Sequence, residues 1–539
     1  MKKLSLKNEI EELTKQLVSI KSVNGFEGGE TNIANYIFNF FKELSYFKNN
    51  PNHLCLVKTE NDTLSRHSII SYLKGKGNKT IILMGHIDTV DTKDYGPIEE
   101  YAYKCDELPA KLKAFFNLDE DVIKDIDSNE YLFGRGTLDM KSGVANHMAI
   151  MKYYAQNIDQ LNGNLLFIGE CDEEGSSLGI ISCLDKLCEI KEKENFEYVA
   201  CINTDFHTPD GDKDEPCVHV GTVGKLLPCF AVFGKEAHVG DSFNCFDPNL
   251  LLSEISRRIS MNVDLCDVCP DSSTVPPVSL KQMDDKNSYT VQTSLSSLGY
   301  YNYLIYNSSI SEVIEKCKKI AIDSFEDIIN YLNSQYKKYC ELNHQNYHKL
   351  PWVNNVYTYE EWYKYLSVQN NNFEKEIRDY ALNLHKENPQ MDLRLFGYEL
   401  IKKSYTYYKE KNPVVILFFG TMFYSPVACD EEKLINAVNM AIKDVDDNVK
   451  MKLFYPYISD MSFLANNDSE EEIEMMLNNC PQHGIKYFYP YKQIKKLNIP
   501  VINVGTYGKD GHKFTERVNK NYSFDTVTNL INSIIINLL

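Results

Sequence analysis

What this 539-residue sequence lacks narrows its function before any motif is read. It has no basic excess: 76 acidic side chains against 57 lysines and arginines give a formal net charge of -19. A field of that sign repels phosphate backbones and argues against a nucleic-acid partner or a polyanionic substrate. No apolar run approaches the roughly 20 residues of a membrane span. The N-terminal residues lead into Asn8-Glu9-Ile10-Glu11-Glu12 rather than an apolar signal core. A cytoplasmic chain with no membrane contact is therefore expected. The 15 cysteines follow no regular spacing, and many, such as Cys201 and Cys229, sit in apolar runs, as reduced buried thiols do. Cys266-Asp267-Val268-Cys269 has no second pair and reads as a loop. Arginine is scarce, seven against fifty lysines, which we read as composition rather than chemistry.

What is present is the apolar content of a globular protein, 43% of residues, in a chain too long for one ordinary core, so at least two domains are expected. Apolar positions at Leu4, Ile10, Leu13, Leu17, Val18 and Ile20 predict a first amphipathic helix, and Ile33, Tyr36, Ile37, Phe40 and Phe41 a second. Several apolar runs then read as strands covered on both faces. Thr80 to Met84 ends in Gly85-His86-Ile87-Asp88, where the two-residue spacing puts His86 and Asp88 on one side so that one can bind and the other orient it. Tyr131-Leu132-Phe133 runs into Gly134 to Gly143, a glycine-rich turn carrying Asp139 ahead of a helix from Val144. Leu165 to Gly169 leads into Glu170-Cys171-Asp172-Glu173-Glu174-Gly175, Tyr198 to Ile202 into Asp205, and Ile499 to Val504 into a loop holding His512. Five strand ends thus carry a histidine or carboxylate, and open α/β sheets build their sites where such ends converge. Mixed imidazole and carboxylate donors suit zinc, with manganese or cobalt as substitutes.

These segments, together with Gly234-Lys235-Glu236-Ala237-His238 and Gly511-His512 with Glu516, resemble in order the motifs of the zinc-dependent metallopeptidase family M20, which includes carboxypeptidase G, aminoacylase and succinyl-diaminopimelate desuccinylase. The resemblance implies two zinc ions per chain, one on His86, Asp139 and Asp205, the other on Asp139, Glu174 and His512, with Asp139 bridging. Asp88 then fixes the His86 tautomer, and Glu516 does the same near His512. Glu173 becomes the general base for a water bridging the metals, and His238, on a lid domain, donates to the oxyanion of the intermediate, often in the neighbouring subunit. Tyr457 to Ser462 stands where the family has an element near the site, which makes Asp460 a substrate-binding candidate.

The implied fold is an α/β zinc-peptidase-like catalytic domain, a mostly parallel sheet flanked by helices, with an inserted α+β lid carrying a helical extension. Residues 1–217 and 446–539 form the catalytic domain and 218–445 the lid, with a tyrosine-rich helical insertion at about 325–411 whose aromatic residues read as internal packing. Within the lid, Tyr289 to Leu295 reads as a strand and Ile310 to Ile322 as a helix. The segment after His238 lacks the usual proline, and the strand at 289–295 lacks the arginine that many relatives use to hold a substrate carboxylate. Arg394, Arg257 or Arg258 is left to substitute. The long lid resembles the arginine-utilisation subgroup, which implies hydrolysis of an N-acyl amino acid or small peptide in amino-acid catabolism. A dipeptidase or aminopeptidase on the same site, or a non-catalytic protein on this fold, are the alternatives. A homodimer is favoured over a monomer because the short spacing from Asp205 to His238 resembles dimeric relatives.

Overall fold

The computed structural model describes residues 3–209, 215–270, 272–420, 423–445 and 448–539. The chain divides into two compact units. The first comprises Met1–Thr222, Val427–Asn466 and Pro490–Leu539, and the second Val223–Pro426 and Asn467–Tyr489.

The first unit is built on a mixed sheet whose interior is parallel. Its strands run in the order Leu54–Lys58, His67–Lys74, Asn164–Glu170, Lys79–His86, Glu197–Asn203, Val501–Asn503, Cys217–Thr222 and Val427–Ala428, with Lys450–Lys452 pairing beside Cys217–Thr222. The four strands from Asn164–Glu170 to Val501–Asn503 are mutually parallel, and antiparallel pairs flank them on both sides. Every residue of Asn164–Glu170 is buried, as the continuous apolar pattern requires of a strand covered on both faces. Parallel pairing sends all four strands out at one edge, and the register sets His86 beside Glu170 and Asn503 beside Asn203. The Asp139 turn comes from elsewhere: Tyr131–Phe133 belongs to a small antiparallel sheet with Arg517–Asn519 and Gly508–Lys509.

Helix Lys7–Ser19 packs on helix Lys141–Gln156 and Gly29–Lys42 covers the sheet, each with the stripe the spacing predicts. Ile10, Leu13, Leu17 and Val18 are buried on the first, each contributing about 1.5–3 kcal/mol on burial. Helix Lys141–Gln156 is buried along most of its length, which its first turn permits. A methyl group added to Gly143 would lie 2.5 Å from Thr204 Oγ1 and 2.6 Å from the Thr204 carbonyl oxygen, so only glycine lets this helix reach the end of strand Glu197–Asn203.

The second unit has its own sheet, in the order Val278–Asp284, Ser296–Ile305, Pro228–Phe233, Val414–Phe419 and Val356–Thr358, with Gly224–Leu226 against Ser296–Ile305. The tyrosine-rich stretch forms helices Tyr359–Gln369, Phe373–Glu387 and Leu393–Tyr405. The first opens on a capping box, Thr358 with Glu361. Its aromatic residues are packing: Trp362 is fully buried with its indole N–H on Ser404 Oγ at 2.8 Å, and Tyr405 stacks on Phe233 with ring centres 4.1 Å apart.

Several expectations differ from the structure here. The segment 289–295 is not a strand; it bonds irregularly to residues 234–239, with one bridge between His238 and Gln292, and the strand begins at Ser296. The helix expected to end at Ile322 continues to Leu342, because buried positions Ser324, Phe325 and Ile328 extend its apolar stripe through the point where an insertion was read. The divisions of the chain also differ from those read in the sequence. Residues from Val427 join the first unit through strands Val427–Ala428 and Lys450–Lys452, and Asn467–Tyr489 joins the second, where Ser311 donates to Glu472 at 2.6 Å. Residue 446, where the last catalytic segment was expected to begin, lies outside the described residues.

Replacing Gly143 with alanine should destabilise the protein by about 1–3 kcal/mol; denaturant unfolding checks this, and unchanged stability would remove the close-approach argument.

Candidate metal centre

At the carboxyl edge of the parallel strands, five side chains from five segments meet. Asp139 presents one oxygen to each of two imidazoles: Oδ1 lies 2.9 Å from His86 Nε2 and Oδ2 2.7 Å from His512 Nε2. Donor atoms of His86, Asp139 and Asp205 lie within 4.8 Å of one another, as do those of Asp139, Glu174 and His512. Glu173 Oε2 is 4.0 Å from His86 Nε2. His86, Asp139 and Asp205 are buried, while His512 is about half exposed, its side chain at 47%.

The turns that aim these groups are held by hydrogen bonds. Asp88 accepts from the backbone N–H of Glu173 at 3.2 Å and of Glu174 at 3.1 Å, and its Oδ1 lies 3.5 Å from His86 Nδ1. The carboxylate of Asp88 thus positions two glutamates, and its backbone carbonyl, 3.1 Å from His86 Nδ1, positions the imidazole. Asn24 donates to Asp88 at 2.9 Å and to Asp172 at 3.0 Å. Asp172 in turn receives Arg66 at 2.6 Å, while its carbonyl accepts the N–H of Ser177 at 2.7 Å, closing the Glu173–Glu174 loop. Gly136, at φ 81°, takes a conformation that side chains disfavour. The turn it belongs to wraps around the Glu516 carboxylate, which accepts the N–H groups of Gly136 at 2.8 Å, Leu138 at 3.1 Å and Asp139 at 3.3 Å, and Arg135 at 2.7 Å.

Electrostatics set the character of the site. Burial pushes Glu173 well above the ordinary carboxylate range, despite His86, and Asp460, Glu174 and Asp205 add to the rise. Burial, then Asp139, lifts Asp205 to about 7. Burial opposes a charged His512, but its hydrogen bonds to Asp139 and Glu174 prevail and raise it to about 11. Burial likewise opposes a charged His86, and Asp139 and Asp88 overcome it. Asp139 is held well below its usual value: burial works against this, and His512 and His86 outweigh it. Five carboxylates, Asp88, Asp139, Glu173, Glu174 and Asp205, therefore crowd two imidazoles in a largely buried space. Glu174 Oε1 is buried without an aligned hydrogen-bond donor although His512 Nε2 is 3.0 Å away. Such a donor set fits divalent cations, which supply the positive charge that the protein itself withholds.

Two candidates stand elsewhere than expected. Glu516 supports the Asp139 turn rather than the His512 ring, because strand Arg517–Asn519 pairs with Tyr131–Phe133 and carries it to that turn. Asp460 is only 1% exposed, buried within electrostatic reach of Asp88, His86, Glu170 and Glu173, so it has no surface to offer a substrate. Arg394, on the second unit, directs its guanidinium to Asp392 at the start of its own helix, and Arg257 and Arg258 pair with Glu254. His238, also on the second unit, is exposed, and its Nδ1 accepts the N–H of Gly240 at 3.0 Å, which leaves Nε2 as the protonated nitrogen of the neutral ring.

Sequence reading missed Asn24, Glu30, Arg66 and Arg135. Scarcity was the available signal for the arginines: three of the seven, Arg66, Arg135 and Arg517, are buried and each bonds to two or more carboxylates. A guanidinium makes several directed bonds at once where an ammonium acts as a point charge.

Comparison with known proteins accords with this geometry. The family described as peptidase family M20/M25/M40 matches residues 82–497. Protein RocB of Bacillus subtilis is 34% identical over 98% of this chain and 95% of its own length. The uncharacterised protein YqjN of the same organism is 30% identical over 99% of this chain and 97% of its own. A succinyl-diaminopimelate desuccinylase of Orientia tsutsugamushi is 24% identical over 58% of this chain and 71% of its own. Among solved structures, an M20 family metallo-carboxypeptidase from Sulfolobus solfataricus aligns over 98% of this chain and 99% of its own, with a TM-score of 0.53 at 11% identity, a likeness of fold.

Glu516→Gln keeps an oxygen for the backbone of the Asp139 turn but removes the charge facing Arg135. It should weaken metal binding about tenfold in a chelator competition; unaltered affinity would dissociate Glu516 from the centre.

Proposed function

This chain belongs to peptidase family M20/M25/M40 and is a metal-dependent hydrolase, and from that premise we propose that it is a dinuclear-zinc amide hydrolase. Its substrate in this reading is an N-acyl amino acid or small peptide in amino-acid catabolism, arginine catabolism included. The observation that carries the reading is the shared Asp139 carboxylate, with one oxygen on His86 and the other on His512 and a further carboxylate, Asp205 or Glu174, completing each group. His86, Asp139 and Asp205 would hold one cation and Asp139, Glu174 and His512 the other. When bound, the pair would acidify a water and polarise the scissile carbonyl.

The chain's own groups do the rest. Glu173 stands beside His86 but outside both donor groups. It is the group that takes the water's proton and returns it to the leaving nitrogen. His238 donates its Nε2–H to the developing oxyanion. Asp88 keeps His86 and the Glu173–Glu174 backbone in register. The likeness to a protein named as a desuccinylase supports acyl removal as the reaction.

Two outcomes test the roles. Glu173→Ala should retain metal, measured by elemental analysis, while turnover on N-acyl amino acids falls about 10²- to 10⁴-fold; wild-type turnover in the metal-loaded variant would end the assignment. We place His238 in the partner subunit's site of a homodimer. Mixing His238→Ala with Glu173→Ala chains should then restore part of the activity, and no recovery under exchange conditions would favour action within one chain.

A further inference from the structure

Immediately beside the metal centre, and within the first unit, two aromatic rings are stacked, with Phe206 resting against the edge of the hydrophobic core. Phe206 follows Asp205, and its N–H donates to Asp205 Oδ1 at 2.8 Å. Its carbonyl accepts the Tyr455 hydroxyl at 2.9 Å. The ring is 6.5 Å from that of His512 and 5.8 Å from that of Tyr457, lying within 19° of parallel to the latter. Gly511 closes against it: a methyl group there would come within 2.8 Å of the ring. Phe206 is therefore tied by its backbone to one proposed metal ligand and clamped by the residue before another. Yet Phe206 is only half-buried and Tyr457 is 43% exposed. Both line a cavity of about 470 Å³ with Thr208, Lys509 and Lys513, a volume suited to a side chain or small acyl group.

Among the described residues, the charges around this cavity cancel. Lys509 is held by Asp121 and Asp125, Arg517 by Asp121, Asp125 and Asp510, and Lys513 by Asp510. Three cations facing three acids give little basis for selecting a ligand by net charge. What the cavity offers is an aromatic face held rigid next to the reacting centre, and both aromatic rings and guanidinium groups stack on such faces.

We propose that Phe206 and Tyr457 form a stacking platform that selects substrates bearing a flat π group, an aromatic ring or a guanidinium, close to the scissile amide. The proposal rests on the amide-hydrolase reading, and its test separates the two. Wild-type, Phe206→Ala and Tyr457→Ala proteins are assayed on N-acetyl-phenylalanine and N-acetyl-arginine against N-acetyl-leucine and N-acetyl-lysine. The same four compounds are titrated calorimetrically into metal-loaded Glu173→Ala protein with and without the platform substitutions, so that binding is read even where no hydrolysis occurs. Selectivity for one or both flat compounds over their non-planar counterparts should fall about tenfold in each alanine variant, in affinity and in kcat/KM. Phe206→Tyr and Tyr457→Phe should retain it, which distinguishes stacking from a collapsed site. The flat compound whose advantage is lost identifies the group recognised. Equal losses on all four compounds, unchanged selectivity, loss in the conservative variants as well, or no binding by any of the four would overturn the platform. Absence of hydrolysis by wild type, with selective binding intact, would instead overturn the hydrolase reading on these substrates.

Discussion

A single buried carboxylate shared by two imidazoles is the constraint on which the rest of this structure depends. Asp139 contacts His86 and His512 through different oxygens, and those histidines lie 426 positions apart in the chain, at 86 and 512. Bringing them together requires strand Lys79–His86 in the parallel interior of a mixed sheet, and Val501–Asn503 returning to that sheet from the far end of the sequence. It also requires a turn rigid enough to aim one carboxylate two ways. Glu516 provides that rigidity by gathering three N–H groups of the turn, and Arg135 offsets the charge of Glu516.

The crowding of acids around Asp139 is costly in a low-dielectric interior unless positive charge is supplied. The protein supplies little of it directly. The three buried arginines sit behind the loops, on Asp62, Glu30 and Asp172, on Asp94 and Glu516, and on Asp121, Asp125 and Asp510. They fix backbone segments and leave Asp139, Glu174 and Asp205 grouped with the two imidazoles. A site arranged in this way is suited to take its charge from bound cations, and its supporting residues matter because they hold the acids together.

Much of the architecture was legible in order and type. Continuous apolar runs at Ile81 to Met84, Leu165 to Ile168 and Val199 to Ile202 could only be strands covered on both faces, and each has that place in the sheet. Reading failed where local pattern competes with partners distant in sequence. Tyr289 to Leu295 alternates like a strand, but its backbone bonds go to the irregular segment Gly234 to Val239, while helix Ile310–Leu342 outran its expected end because its apolar face continues. Asp460 occupied a suggestive position in sequence, but burial within electrostatic reach of Glu170, Asp88 and His86 removes it from contact with a substrate. Arg66 carried no motif at all, and Arg135 stood inside the Gly134 to Gly143 motif without a role being read for it.

The sequence by itself determined which residue types stand at the strand ends and in what order, because buried strands and glycine turns leave local signatures that survive without neighbours. Only the tertiary structure decided which of those residues touch. The pairing of Glu516 with the Asp139 turn, of Asp88 with the Glu173–Glu174 backbone, and of Phe206 with Tyr457 depends on sheet register and on strands that meet after hundreds of residues. Register is a cooperative property of several strands at once, and no single stretch of sequence contains it.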